Sequence, residues 1–83
     1  MTHYRLAISE EAREQLRALP KERRVQIGEK LVLLQSGLSG DVKKLTSAEP
    51  KYRLRVGKYR ILFRLEGNLI AVHAVKDRKE AYE

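Results

Sequence analysis

The chain has 83 residues, which suits one domain built on a single small core. A hydrophobic fraction of 42% excludes a disordered chain, the absence of cysteine excludes a disulfide framework or thiolate metal site, and no apolar run approaches the ~18 residues of a membrane span. The net charge of +7 directs attention to anionic partners.

The N-terminal MTHYRLAISEEA lacks the basic, apolar and small-residue zones of a signal peptide, so a soluble cytoplasmic protein without a membrane partner is expected. Within it, His3 to Ile8 reads as a short strand, because Tyr4, Leu6 and Ile8 alternate with His3, Arg5 and Ala7. Ser9 is placed to cap a helix whose first turn carries Glu10 and Glu11, where the helix dipole favours acids. Ala12, Leu16 and Leu19 give that helix an apolar stripe, and Pro20 ends it. A second helix then runs to about Gln35. Ile27, Leu31 and Leu34 form its stripe, Val25, Gly28 and Val32 lie beside it, and Gly37 follows as a natural stop.

Residues 37–50, GLSGDVKKLTSAEP, read as a connector rich in Gly, Ser and Pro. It is too short to separate two domains, so residues 1–83 are expected to be one.

The next stretch is the most distinctive. From Lys51 to Arg64, KYRLRVGKYRILFR holds six Lys or Arg residues and no acid. Gly57 and Lys58 divide it into two alternating runs. Lys51, Arg53 and Arg55 oppose Tyr52, Leu54 and Val56. Arg60, Leu62 and Arg64 oppose Tyr59, Ile61, Phe63 and Leu65. The pattern predicts a hairpin with one apolar and one cationic face, and nucleic acid is the commonest polyanion for such a face. Glu66-Gly67-Asn68 suits a tight turn into a third strand, Asn68 to Val75, before the polar tail KDRKEAYE with its expected helical turn. The expected class is α+β, in the order β-α-α-β-β-β. An antiparallel twisted sheet would carry a helical hairpin on one face, and the first strand would join the same sheet.

Taken in order, these segments resemble the RelE/ParE superfamily of toxins from bacterial toxin–antitoxin pairs, and its RelE-like mRNA interferase branch in particular. The resemblance covers nearly the whole chain. It rests on Tyr4-Arg5-Leu6, Ser9-Glu10-Glu11-Ala12, Val42-Lys43-Lys44-Leu45, Tyr52-Arg53-Leu54-Arg55-Val56-Gly57, Tyr59-Arg60-Ile61-Leu62-Phe63 and Arg78-Lys79-Glu80-Ala81-Tyr82.

The resemblance implies a cofactor-free and metal-independent endoribonuclease that cuts mRNA in the ribosome and so inhibits translation. The ribose 2′-hydroxyl attacks the adjacent phosphate, leaving a 2′,3′-cyclic phosphate and a 5′-hydroxyl. It also implies a cognate antitoxin, with ribosome and mRNA as targets and DNA touched only indirectly through the antitoxin. By motif match, the catalytic positions fall on Arg53, Arg55, Arg60, Arg78 and Tyr82. Arg60 would clamp the phosphate with its guanidinium fork, and Arg78 would stabilise or protonate the leaving group. Tyr82 would orient or stack on the substrate. RNA contacts are expected from Lys43, Lys44, Lys51, Arg53, Arg55, Arg64 and Lys76.

Two departures from the family pattern bear on mechanism. Arg53 and Arg55 stand where well-known ribonuclease members have lysines, and arginine does not give up its proton as a depressed lysine can. The proton of the 2′-hydroxyl would then fall to Tyr82, Lys51 or Glu80. Lys76 and Asp77 precede Arg78 where many relatives have Gly-His, so the histidine some members use is missing.

The same residues have plainer readings. Arg53 and Arg55 also suit solvated sheet-face charges, Tyr82 a frayed tail, and His73, grouped by alternation with Leu69, Ala71 and Val75, a structural residue. His3 and His73 lack metal-ligand spacing. Two other functions therefore stand beside the ribonuclease: a ParE-like inhibitor of DNA gyrase, and a non-toxic member that only binds its antitoxin.

Overall fold

The computed structural model describes residues 3–45 and 52–77. They form strand β1 (Arg5–Ile8), helices α1 (Glu10–Arg17) and α2 (Lys21–Gln35), and strands β2 (Asp41–Lys44), β3 (Tyr52–Val56), β4 (Tyr59–Glu66) and β5 (Leu69–Asp77). One sheet takes all five strands in the order β1-β5-β4-β3-β2.

The α+β class and the antiparallel run β3-β4-β5 are as expected. Two features refine the expected order. Asp41–Lys44, read as connector, is a strand that pairs antiparallel with β3, so the sheet has five strands and not four. The first strand joins the sheet parallel to β5, with Arg5 beside Leu69 and Ile8 beside Val72, which makes the sheet mixed. Of the tail KDRKEAYE, Lys76 and Asp77 continue β5, and the helical turn expected at its end falls on residues 78–83, outside the described residues.

Each two-residue turn, Gly57-Lys58 and Gly67-Asn68, opens on a glycine at positive φ (59° and 64°). A glycine first in a two-residue hairpin loop gives the backbone the twist of the flanking strands, which keeps Val56 opposite Tyr59 and Glu66 opposite Leu69. The register of the basic hairpin is fixed there.

Both helices cover one face of the sheet. Ala12, Ile27, Leu31 and Leu34 pack over Leu54, Val56, Ile61, Phe63, Ile70 and Val72, while Leu6, Ile8, Leu16 and Leu65 sit half-buried around them. Tyr52 stacks on Phe63 with ring centroids 5.5 Å apart. The apolar alternation read from the sequence therefore points at the helices.

α1 also closes an edge. β1 pairs with β5 only through Val72, and beyond that point side chains of the helix take over. Ser9 Oγ donates to the His73 carbonyl at 2.7 Å and accepts from Ala12 N at 3.0 Å, so one hydroxyl caps the helix and holds the strand. Gln15 Oε1 accepts from Val75 N at 2.6 Å. An edge that would otherwise show bare main-chain groups is thereby satisfied.

β5 holds one residue more than β4 needs. Phe63 pairs with Val72 and Leu62 with Ala74, which leaves His73 as the extra residue of a β-bulge. The expected grouping of His73 with Val75 is corrected by this bulge. After it Val75 faces the helices, buried opposite Ile61, while His73 is exposed. No helix among the described residues is long and apolar enough to cross a membrane.

Candidate nucleic-acid interface

The helix-free face is built by the alternate residues of the same strands. Residues that pair across a ladder carry their side chains on the same face. Asp41 pairs with Arg55, Arg55 with Arg60, and Arg60 with Lys76. One row therefore crosses four strands as Asp41–Arg55–Arg60–Lys76. Backbones stand about 5 Å apart in a sheet, so three consecutive cations are held closer than solvated charges would choose. The neighbouring row is Lys43–Arg53–Leu62–Ala74.

The two rows differ in how their arginines are held. Arg53 is buried, its side chain only 11% exposed. Its Nη1 donates to the Asp41 carbonyl at 3.3 Å and lies 3.7 Å from Asp41 Oδ1. This arginine ties the edge strand β2 to β3 through both main chain and side chain. Arg55 is exposed, whereas Arg60 and Lys76 are half-buried, with Arg60 Nε closed off from solvent. Burial restrains the Arg60 fork, and a restrained guanidinium loses less freedom on gripping a phosphate.

The other expected contacts distribute unevenly. Lys43 shares the open face, but Lys44 pairs with Tyr52 and projects to the opposite side. Arg64 lies on the open face opposite Ala71, exposed, with Nη2 2.9 Å from Glu66 Oε2. Lys58 sits in the turn, 3.9 Å from Asp77 and 5.7 Å from the centre of the Tyr59 ring. Lys51, Arg78 and Tyr82 fall outside the described residues. The open face thus gathers Arg53, Arg55, Arg60, Lys76 and Lys43, with Arg64 further along β4.

Two participants escape a reading of the sequence. Asp41 has no motif around it and becomes visible only when β2 pairs with β3. Ala74 is the other: the bulge brings it onto the open face beside Leu62, whose place there follows from alternation, and the two form an uncharged patch beside the cation row.

Compared with solved structures, the chain superposes along almost its whole length on RelE proteins. Against the RelB–RelE antitoxin–toxin complex of Methanococcus jannaschii it gives a TM-score of 0.75 at 28% identity, covering 90% of this chain and 93% of that one. Against the archaeal RelE–RelB complex of Pyrococcus horikoshii OT3 it gives 0.77 at 28%, covering 94% and 97%. The chain has a RelE-like fold. A double arginine-to-alanine mutant of the E. coli toxin RelE in the free state matches in fold at 0.76 and 23% identity, covering 96% of this chain and 87% of that one. No family model matches the sequence, and no curated protein does. The resemblance read from the short motifs therefore rests on shape shared with RelE structures. In this RelE-like sheet the cation row lies on the face that the helices leave uncovered.

Proposed function

We propose that residues 1–83 act as one toxin domain of a toxin–antitoxin pair, and that this toxin is a ribosome-dependent mRNA endoribonuclease. The observation that carries the reading is the row Arg55–Arg60–Lys76, three cations on adjacent strands of the face that neither helix covers. Like charges set directly opposite one another weaken a sheet, and an anionic substrate is what makes such a row worth keeping.

In the proposed reaction the 2′-oxygen attacks the adjacent phosphorus, the bond from phosphorus to the 5′-oxygen breaks, and the 2′-proton leaves to a base. The leaving 5′-oxygen takes up a proton. Arg60 grips the non-bridging oxygens, where charge grows in the crowded transition state, and Arg55 and Lys76 flank it. Arg78 serves the leaving oxygen. Guanidinium groups do not accept the 2′-proton, so that part falls to Tyr82, Lys51 or Glu80. Arg53 contributes by fixing β2 and by its field.

The partner is an antitoxin, as in the RelB–RelE complexes, and its acids would neutralise the cation row when the pair is assembled. The second reading is inhibition of DNA gyrase, favoured by one observation: Arg53, at a position expected to be catalytic, is held by Asp41. A non-toxic antitoxin-binding role is the third.

Expression of the chain without antitoxin separates these. The ribonuclease stops translation before replication and creates new mRNA 5′ ends within translated codons. Arg60→Ala removes both, with a rate loss of about 10²–10³ for a lost transition-state partner. Replication arrest without new 5′ ends would select gyrase. Absence of both effects would select the non-toxic role.

A further inference from the structure

The open face does not end at the cation row. Beyond Leu62 and Ala74 it continues into a hollow of about 200 Å³ whose rim and floor include Ala7, Ser9, Arg64, Ala71 and His73. Three facts assemble it. Arg64 pairs with Ala71 and Ala71 with Ala7, so two alanines leave a flat floor beside a guanidinium. The bulge releases His73 from the ladder and leaves its side chain exposed at the rim. Ser9 holds the His73 carbonyl, which fixes the backbone that carries the imidazole.

We infer that this hollow is a second subsite for single-stranded RNA, taking a nucleotide further along the strand than the immediate neighbour of the one held at the cation row; the inference rests on the ribonuclease reading of that row. A flat ring fits over the alanine floor, since bases of single strands are recognised by stacking and by their exposed edges. The His73 ring offers both a face to stack on and nitrogens for a base edge. Arg64 takes the phosphate. Its exposed ion pair with Glu66 is the kind that contributes little and is readily exchanged. Arg60 and Arg64 are four residues apart on β4, roughly 13 Å at strand rise, with Leu62 between them on the same face. One strand lying across Leu62 reaches both.

The test uses the full chain and 2′-O-methyl oligouridines, which bind without being cut, three and eight nucleotides long. Binding is followed by NMR and as a function of salt. The eight-mer should shift the His73 ring signals and the three-mer should not. Arg64→Ala should lower the salt slope of eight-mer binding by about 1. Arg64→Lys should restore it, and the three-mer slope should stay as it was. Arg55→Ala should weaken both oligonucleotides. If the eight-mer binds in an Arg55-dependent way while the His73 signals and the Arg64→Ala slope do not change, the subsite is overturned and the cation row stands. If neither oligonucleotide binds, or binding ignores Arg55, the RNA reading of the row fails and the subsite fails with it.

Discussion

Arg55 and Arg60 are direct partners across the β3–β4 ladder, two guanidinium side chains on one face with Lys76 next in line. Direct like-charge pairs cost a sheet roughly 0.2–1 kcal/mol each. The fold tolerates this row because the opposite face of the same strands is fully packed, with Leu54, Ile61 and Phe63 entirely buried.

Salt should therefore stabilise the free chain. Screening weakens repulsion between exposed charges, so the melting temperature should rise from low to moderate ionic strength. Arg55→Gln should raise stability at low salt by up to about 1 kcal/mol and shrink the salt dependence, while weakening RNA binding. A melting curve indifferent to salt would mean that the row is not strained.

Arg53 should behave differently from Arg55, although the two are one step apart on the same face. Arg53→Ala removes a buried contact to the Asp41 carbonyl and the grip on β2, at a cost of about 1–3 kcal/mol. Asp41→Asn should cost less, because its carbonyl still accepts from Arg53 and its side chain is 58% exposed. Thermal melts of both single variants and the double variant measure their coupling, which should vanish for Arg55 with Asp41 if only Arg53 holds the edge.

Much of this was legible in the chain. Period-two alternation in β3 and β4 identified the hairpin, its register and its cationic face, because glycine-led turns leave little freedom there. β2 was not legible. An edge strand needs only one residue for the core, here Val42, and lysines on an edge strand look like loop residues. The split between Arg53 and Arg55 was equally hidden, since what buries one of them is that same unseen strand. The phase change at His73 could not be read from alternation, because a bulge is a break in it.

Ser9 has two tasks that substitution can separate. Ser9→Ala should cost about 1–3 kcal/mol by losing both the cap and the bond to His73. Ser9→Asp keeps an acceptor for Ala12 N but has no proton to donate when ionised, so it should recover only the cap. Hydrogen exchange at the β5 edge, followed beside thermal stability, distinguishes the two losses.

Gln15 should tolerate Glu and not Leu. Its Oε1 is an acceptor for Val75 N, which a carboxylate supplies as well, while the exposed 3.3 Å bond from its Nε2 to Glu11 Oε2 is given up at a cost of about 0.2–0.5 kcal/mol. Gln15→Leu leaves that N–H facing an apolar group, a loss of about 1–3 kcal/mol by chemical denaturation. Equal stability of the two variants would remove α1 from the account of how the β5 edge is protected.

A bulge is also an insertion that the sheet has already absorbed. Without His73, β5 would run Val72-Ala74-Val75-Lys76 and pair evenly with Phe63, Leu62, Ile61 and Arg60, so nothing in the ladder depends on the extra position. Such a site is open to evolutionary drift in a way its neighbours are not. Val72 and Ala74 are held by their partners, whereas the side chain between them can change while core and cation row stay in place. Divergence among chains of this shape should therefore collect at this position, where a lineage can alter what its open face touches without rebuilding the sheet.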